Sequence, residues 1–261
     1  MGKVEETELA VSDYEASLNL QIWKNYVDDV AISVIHPGGE TAYLLQQTTG
    51  PQRFRLGNTN LLVYYGEPSP YNLYQEIYID FIPEEQYVDA GIWKIQLTPQ
   101  KITDGAFDMW IPAGGVLNRG TGFLTPVDET TLTIPSTAAK VITVGAYDAR
   151  FHQAASFSGR GYTWATNRIK PDLVAPGVEI ISCAPGGGYQ VRTGTSMATP
   201  FVTGSAAILM QWGIVNGNDN YLYGEKMKAY LIRGARQLPG FAKYPNPVLG
   251  WGTLCVRDSL P

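Results

Sequence analysis

The sequence has few charged residues and no run of basic ones. Only 16% of its 261 residues are Asp, Glu, Lys or Arg, with 19 basic side chains against 24 acidic ones and a net charge of −5. A surface that follows a phosphate backbone needs clustered Lys and Arg, so nucleic acid is not expected as a partner. Because 44% of the residues are hydrophobic, an intrinsically disordered chain is excluded as well.

Cysteine is also scarce. Cys183 and Cys255 are the only two, too few for a disulfide framework or a four-thiolate zinc site. We interpret both as small buried hydrophobic residues, and a single bridge between them stays open. No apolar run approaches the roughly 18 residues that span a bilayer, and the acidic start from Met1 to Glu6 differs from a signal peptide. We expect neither a membrane partner nor an export signal within this sequence.

The first half of the chain has the texture of an antiparallel sheet protein. From about Tyr14 to Phe123 apolar residues recur at every second position, which indicates strands with one buried face. The 28 Gly and 17 Pro of the chain supply tight turns. For residues 1–124 we predict an all-β sandwich of seven or eight strands. The predicted inward residues are Leu18, Leu20, Ile22, Ile32, Val34, Ile77, Ile79, Phe81, Trp93, Ile95, Leu97, Phe107, Met109 and Ile111.

Residues 125–261 have a different texture, typical of an α/β domain. The apolar run Val141 to Val144 predicts a strand buried on both faces of a parallel sheet, and Leu173 to Ile181 predicts a second such region. Ser196 to about Trp212 is apolar on nearly all sides and predicts a central, buried helix. Residues 223–237 predict an amphipathic helix that packs through Met227 and Leu231.

One motif carries the residues of a nucleophilic site. The run Gly194-Thr195-Ser196-Met197-Ala198-Thr199-Pro200 follows a glycine-rich loop and enters the buried helix. Ser196 presents its hydroxyl at the helix start, where unpaired N–H groups and the positive dipole end favour developing negative charge. Pro200 falls in the first helical turn, where a missing N–H costs little. An N-cap role alone for Thr195 or Ser196 is the structural alternative.

This motif resembles the nucleophile motif of the subtilisin-like serine proteases, the subtilases of peptidase family S8. The run Lys170-Pro171-Asp172-Leu173-Val174-Ala175-Pro176-Gly177 and the segments 134–138, 141–146 and 155–158 resemble that family as well. The resemblance implies an α/β subtilisin-like fold with a doubly wound parallel sheet, and a serine endopeptidase that acts on proteins or peptides without a cofactor. It implies Ser196 as nucleophile, and Gly194, Thr195 and Ser196 as the oxyanion and substrate loop. The loop from Gly186 to Gly194 would flank the substrate.

A nearer resemblance is to the germination-specific subtilases of spore-forming clostridia. In those enzymes a jelly-roll sandwich is inserted into the protease domain ahead of the strand that here contains Ile134-Pro135-Ser136-Thr137. The resemblance implies that residues 1–124 are this jelly-roll insertion and that residues 125–261 are the C-terminal half of a subtilase catalytic domain. It implies a spore-associated or secreted enzyme and a protein substrate such as the precursor of a cortex-degrading enzyme.

The rest of a subtilase active site is missing from the sequence. His36 and His152 are the only histidines, and neither lies in the His-Gly-Thr context of the family, so we interpret both as structural. No Asp-Ser/Thr-Gly turn and no Gly-Asn-x-Gly motif occurs, and Asn58 is interpreted as a turn residue. We therefore expect a partial sheet that carries the nucleophile but lacks the triad Asp and His and the oxyanion Asn. Such a chain is expected to be inactive alone, and an upstream polypeptide or self-association would cover its incomplete sheet.

The sequence leaves two other functions to compare with a protease, a non-catalytic module and an α/β-hydrolase. A non-catalytic pseudoprotease or truncated product that acts as a binding or structural module remains the main alternative. An α/β-hydrolase is disfavoured because its nucleophile elbow is followed by a histidine, and none follows Ser196. The oxygen-rich run Asn216 to Asn220 has a single carboxylate, so an ordinary turn is favoured over a metal site.

Overall fold

The computed structural model describes residues 3–46, 50–67, 69–113, 115–163 and 166–260. The chain divides into two compact units, Met1–Pro126 and Val127–Pro261. The first is built from strands alone, and the second combines short strands with helices.

The first unit contains ten strands in its described residues, more than the predicted seven or eight. They form two five-stranded antiparallel sheets, which share one hydrophobic core. The strands are β1 (Glu5–Val11), β2 (Leu18–Asn25), β3 (Asp29–Ile35), β4 (Thr41–Tyr43), β5 (Gln52–Leu56), β6 (Thr59–Tyr65), β7 (Tyr74–Pro83), β8 (Gly91–Lys101), β9 (Phe107–Trp110) and β10 (Gly122–Phe123). The sheet orders are β10-β1-β8-β3-β4 and β5-β6-β7-β2-β9.

The core of this unit follows the predicted alternation. Every second residue of β2 is buried, beginning with Leu18, Leu20 and Ile22, and the corresponding residues of β7 and β8 face the same core. The inward residues of β9 are only partly buried, because this strand lies at the edge of its sheet. Strand β1 lies before the segment predicted to hold strands, and it pairs with β8 along its whole length.

The second unit is organised around two parallel strands. Its elements are β11 (Val144–Asp148), β12 (Gln153–Ala154), β13 (Gly161–Tyr162), β14 (Ile169–Lys170), β15 (Leu173–Pro176), β16 (Ile180–Cys183), β17 (Tyr189–Arg192), α1 (Thr195–Met210), α2 (Gly224–Arg233) and α3 (Val256–Ser259). Strands β11 and β15 pair in parallel from Val144↔Leu173 to Tyr147↔Pro176, and β12 pairs with β11 in the opposite sense. The predicted parallel sheet is thus present as one strand pair.

The first strand of this sheet begins three residues later than predicted. Side chains help to hold residues 141–143, and the carbonyl of Thr143 accepts the N–H groups of Asp172 and Leu173. The ammonium of Lys228 donates to the carbonyl of Val141, and the N–H of Thr143 donates to Asp172 Oδ2. The parallel register with β15 runs from Val144 onward.

Helix α1 differs from the predicted all-round burial. Its buried residues, Ala198, Val202, Ser205 and Leu209, form a single face, and Ala198, Val202 and Leu209 join the hydrophobic cluster of β11 and β15. Beside this buried face lie exposed apolar residues, among them Phe201 at 43% and Ile208 at 48% of full exposure. A π-helical turn, Gln211–Val215, continues α1.

This long helix also corrects the expectation about apolar runs. By length and composition alone, Thr195–Val215 could cross a membrane. One face of this helix packs against β11 and β15. Helix α2 buries Met227 and Leu231 as predicted. It ends at Arg233, short of the predicted residue 237, because the chain then forms a bridge from Arg236 to Thr253.

The two cysteines are not the buried residues that we predicted. Both are free thiols, with Cys183 exposed and Cys255 half-buried. Cys183 ends β16 in a two-stranded hairpin that pairs with no further strand, so its side chain has no core to enter. The bridge that the sequence left open is therefore absent.

A buried ionic cluster fixes the start of β15. Asp172 is only 5% exposed, and its carboxylate lies 2.8 Å from Lys170 Nζ and 2.7 Å from Lys228 Nζ. Thr143 Oγ1 lies 2.9 Å from Lys170 Nζ. Burial lowers the pKa of Lys170, against the opposing effect of Asp172. One carboxylate thus holds two ammonium groups and the chain that leads into β11.

Replacing this carboxylate is expected to destabilise the second unit. In Asp172→Ala two cations lose their shared counter-ion, and breaking a buried pair in this way costs about 3–5 kcal/mol. Urea unfolding followed by tryptophan fluorescence measures the change. Asp128→Ala is the matched control, because Asp128 forms only an exposed pair with Arg160, and a shift of at most about 1 kcal/mol is expected there. Equal midpoints for the two variants would contradict the structural role of Asp172.

Candidate functional site

Ser196 lies in the first turn of α1 and is exposed. Within the described residues no side chain or backbone group forms a hydrogen bond with its hydroxyl. The N–H groups of Thr195 and Ser196 likewise have no acceptor in that part of the chain, as expected at a helix start. A free hydroxyl therefore lies beside two free donors and the positive end of a 16-residue helix.

The position of this helix start is set by a close backbone approach. The N–H of Gly194 donates to the carbonyl of Gly177 at 2.8 Å, and the N–H of Gly177 donates to the carbonyl of Tyr147 at 3.1 Å. A Cβ at Gly177 would lie 2.6 Å from Ala146 Cβ and 2.9 Å from the Gly194 oxygen. Only glycine lets β11 and the start of α1 approach this closely.

These contacts place Ser196 beyond the carboxyl ends of the two parallel strands. Gly177 directly follows β15, and Tyr147 is the penultimate residue of β11. The crevice at that edge is where open α/β sheets bind ligands. Gly194 has a φ of 154°, a value that glycine adopts readily, and this turns the chain from β17 into α1.

An ion-pair cluster braces the loop on the other side of Gly177. Arg150 donates from Nη2 to Asp148 Oδ2 at 2.8 Å and also contacts Glu179. The hydrogen bond from Arg150 lowers the pKa of Asp148 to about 2. The N–H of Glu179 donates to Thr193 Oγ1 at 2.9 Å, next to Gly194. The cluster thus links the end of β11 to the residue before the helix turn.

Four of the nine residues predicted as a substrate loop, 186–194, form a strand. Residues 189–192 form β17, which pairs with β16 in register, and the glycines 186–188 make the connecting turn. Alternate residues of this hairpin point to one face, and that face is exposed and apolar. Ile181 and Val191 lie opposite each other on it, followed by Cys183 and Tyr189.

The two histidines belong to different units, and each lies at a turn. His36 Nε2 lies 3.1 Å from Asp89 Oδ2, and its Nδ1 accepts the N–H of Gly38, so this imidazole fastens turns of the first unit. His152 is exposed and has a φ of 54° in the turn between β11 and β12. Within the described residues no hydrogen bond joins either ring to Ser196.

Two further expectations are tested at this site. Pro200 is the sixth residue of α1, outside the first turn where we expected it, because the helix begins at Thr195. The described residues contain no group of three or more His, Cys, Asp or Glu that could hold a metal ion. In the run 216–220, the single carboxylate of Asp219 already accepts from Lys226 Nζ at 2.6 Å and from the Tyr230 hydroxyl at 2.8 Å.

Sequence reasoning identified Gly194, Thr195 and Ser196, and the structure brings them together at one helix start. No sequence pattern assigned a role to Gly177, although the residue lies in the run 170–177, and none predicted Thr193 or Arg150. The proline and glycine at positions 176 and 177 signal a turn. Nothing local marks the ion pairs, because they join residues far apart in sequence.

The close approach at Gly177 predicts opposite effects for two glycine substitutions. Gly177→Ala is expected to destabilise the second unit by about 1–3 kcal/mol, because the added methyl overlaps Ala146 and the Gly194 carbonyl. Gly204→Ala is the matched control in α1, where a Cβ meets nothing within 4 Å, and a gain of up to about 1 kcal/mol is expected. Thermal unfolding of both variants checks the signs. Equal behaviour would show that the helix start tolerates displacement.

Comparison with known proteins shows to which protein family the chain is similar. The model of the subtilase family, Peptidase S8, matches residues 118–252. Serine protease AprX of Bacillus subtilis is 39% identical over 154 residues, 51% of this chain and 33% of its own length. A thermophilic serine proteinase from a Bacillus strain is 46% identical over 79 residues, 30% of this chain and 18% of its own.

A solved structure aligns with the whole chain. The CspB protease of Clostridium perfringens aligns with 100% of this chain and 54% of its own, with a TM-score of 0.88 and 36% identity. The chain therefore spans about half of that structure and a third or less of the two Bacillus proteins. The family model covers more than half of this chain and includes the whole of α1, so the chain belongs to the subtilase family of serine proteases.

Proposed function

We propose that this chain is the nucleophile-bearing portion of a serine endopeptidase, with Ser196 as the attacking residue. The observation that carries the proposal is an exposed Ser196 hydroxyl with no hydrogen-bond partner in the described residues, at the positive end of α1 and at the sheet edge where α/β folds bind ligands. A hydroxyl kept only to cap the helix would bond to a backbone N–H, and α1 has no side-chain cap.

The proposed chemistry is acyl transfer from a protein or peptide substrate. Ser196 Oγ attacks the scissile carbonyl, and its proton passes to a base as the tetrahedral oxyanion forms. The Ser196 N–H and the dipole of α1 stabilise that oxyanion, since both are in place before the reaction. The amine of the departing peptide takes up a proton, and water then releases the acyl group from Ser196.

The base and the carboxylate that orients it are supplied, in this proposal, by polypeptide outside residues 1–261. A serine hydroxyl near its free pKa is a weak nucleophile, and no imidazole of the described residues bonds to Ser196. The second oxyanion donor, an Asn side chain in this family, belongs to the same missing polypeptide. The isolated chain therefore lacks useful protease activity.

The exposed face of α1 is the proposed contact surface for that polypeptide. Phe201 and Ile208 are seven residues apart on α1, lie on one side of it and are both exposed. Val215, in the π-helical turn that follows, is exposed as well. An unpartnered apolar face of this length beside a candidate nucleophile favours a protein partner that also completes the active site. Self-association of this chain is the competing explanation for the exposed face, and size-exclusion chromatography tests it.

We further propose that residues 1–124 are a jelly-roll insertion and that residues 125–261 are the C-terminal half of the catalytic domain. Strand order supports this, because β1 and β2 lie in different sheets, as do β7 and β8, while β1 and β8 are neighbours and so are β2 and β7. The match to the clostridial CspB protease includes this sandwich, whereas the Bacillus relatives match at most 51% of the chain. This favours the germination-specific branch.

A fluorophosphonate probe, which labels activated serines, tests the catalytic proposal. The isolated chain is expected to react negligibly, because losing the histidine of a subtilisin lowers turnover by about 10⁶. Adding a subtilase N-terminal polypeptide that carries the Asp-Ser/Thr-Gly, His-Gly-Thr and Gly-Asn-x-Gly motifs is expected to produce labelling at Ser196. Mass spectrometry of the labelled peptide gives the position.

Two variants control this experiment. Ser196→Ala is expected to abolish labelling, and Ser182→Ala, which changes an exposed hairpin serine, is expected to leave it unchanged. Failure of the complemented chain to react would overturn the catalytic assignment and favour a non-catalytic binding module. Rapid labelling of the chain alone would show that its active site is complete.

The exposed face of α1 is tested by a dye that binds apolar surface and by size-exclusion chromatography. The isolated chain is expected to bind the dye or to self-associate. The double variant Phe201→Ser/Ile208→Ser is expected to reduce both effects, while Tyr71→Ser, at a fully exposed position in the first unit, leaves them unchanged. Complementation by the N-terminal polypeptide should also remove them. A monomer without dye binding would contradict an unpartnered face.

A further inference from the structure

A lysine occupies a core position at one end of the first unit. In β2 the inward residues are Leu18, Leu20, Ile22 and then Lys24, which is 2% exposed. Its ammonium donates to the carbonyl of Asp28 at 2.7 Å and to that of Asn25 at 3.3 Å. An ammonium has three N–H donors, so these two carbonyls leave one donor without an acceptor in the described residues.

The carboxylate of Asp28, the residue whose carbonyl Lys24 contacts, binds other groups. The carboxylate of Asp28 accepts the N–H groups of Thr103, Asp104 and Gly105 at 2.6, 3.0 and 2.8 Å. Burial opposes its charge, but these three bonds and the nearby Lys24 outweigh burial and lower the pKa of Asp28. Among the described residues, no carboxylate oxygen lies within 4 Å of Lys24 Nζ. The buried ammonium therefore has no carboxylate in direct contact, while the nearby charges of Asp28 and Asp29 oppose the lowering of its pKa by burial.

Lys24 lines a cleft of about 200 Å³ at this end of the sandwich. The cleft is otherwise mainly apolar, and Lys3 and Glu5 stand among its exposed residues. The apolar lining residues are Val30, Leu97, Pro99, Ile102, Ala106 and Phe107. The pairing of β3 with β8 shifts register here, between Asp29 and Val30. Such irregularities are frequent beside binding sites, where they open a sheet locally.

We propose that this cleft binds a small monocarboxylate with a short apolar body, and that the carboxylate accepts the remaining N–H of Lys24. The apolar walls would contact the apolar body of the ligand, and the ammonium of Lys24 would bind its carboxylate. A dianion such as phosphate is disfavoured, because Asp28 and Glu5 are close and only one free donor is available. The volume lies below the 300–1,000 Å³ of sites for drug-sized molecules, which limits the ligand to a small acid.

The competing explanation is that Lys24 only fastens the turn between β2 and β3. Its two carbonyl acceptors, Asn25 and Asp28, belong to that turn. A fastening role does not require a charge, and it predicts no preference between a carboxylate and a neutral amide of the same shape. Ligand binding with a charge preference therefore separates the two explanations. The site is independent of Ser196, so its test does not depend on protease activity.

The probe is 4-fluorophenylacetate, observed by fluorine NMR in the presence of the full 261-residue chain. Line broadening is expected, with an affinity at least about tenfold higher than that of the neutral analogue 4-fluorophenylacetamide, because hydrogen bonds between charged partners are the stronger ones. Lys24→Met keeps the length of the side chain and removes the charge, and it is expected to erase this preference. Replacing a buried unpaired charge by an apolar side chain generally preserves folding.

Two further variants make the result decisive. Lys94→Met removes an exposed lysine of β8 that pairs with Glu6 outside the cleft, and binding is expected to persist. Ala106→Phe fills the cleft while leaving Lys24 intact, and binding is expected to disappear. If neither probe broadens with the wild-type chain, or if Lys24→Met binds the carboxylate as well as wild type does, the proposal is overturned.

Discussion

The close contact between Gly177 and the start of α1 determines what the second unit can do. It joins the end of β15 to Gly194 through one hydrogen bond, and it brings Ala146 and Ala198 together across a position without a side chain. The helix therefore starts directly beyond the ends of two parallel strands. Ser196 receives its exposure and its helix-dipole environment from this arrangement, so a displacement here would move the hydroxyl and the free N–H groups beside it together.

The same helix has apolar surface that the described residues of the second unit do not cover. A helix that packs between two layers buries both sides, whereas α1 buries only one face and leaves Phe201 and Ile208 beside it exposed. Burying an apolar side chain of this size contributes about 1.5–3 kcal/mol. A partner that covers this face would gain stability and could bring a base to Ser196 in the same step. Stability and catalysis are then linked through one surface.

The features that the sequence predicted best are those that depend on a local residue pattern. The alternation in β2, β7 and β8 and the start of α1 at the Gly194 motif are local signals, and both agree with the structure. Strand β1 lies outside the predicted segment because only Leu9 and Val11 of its inward positions are apolar, whereas Glu5 and Thr7 at the same parity are polar. The one-sided burial of α1 was not predictable, because an all-apolar helix indicates burial but not whether a partner is present. Long-range contacts such as Arg150 with Glu179 leave no local pattern.

The two buried lysines of the chain show how charge placement separates scaffold from site. Lys170 donates to the carboxylate of Asp172, to a hydroxyl and to a carbonyl, so all three of its donors are used and its role is complete within the fold. Lys24 is equally buried but has two carbonyls and no paired carboxylate. Burial lowers the pKa of both ammonium groups. A cation kept in a core without a counter-ion costs stability that Met or Leu would avoid. Retaining it beside an apolar cleft is consistent with a counter-ion that arrives with a ligand.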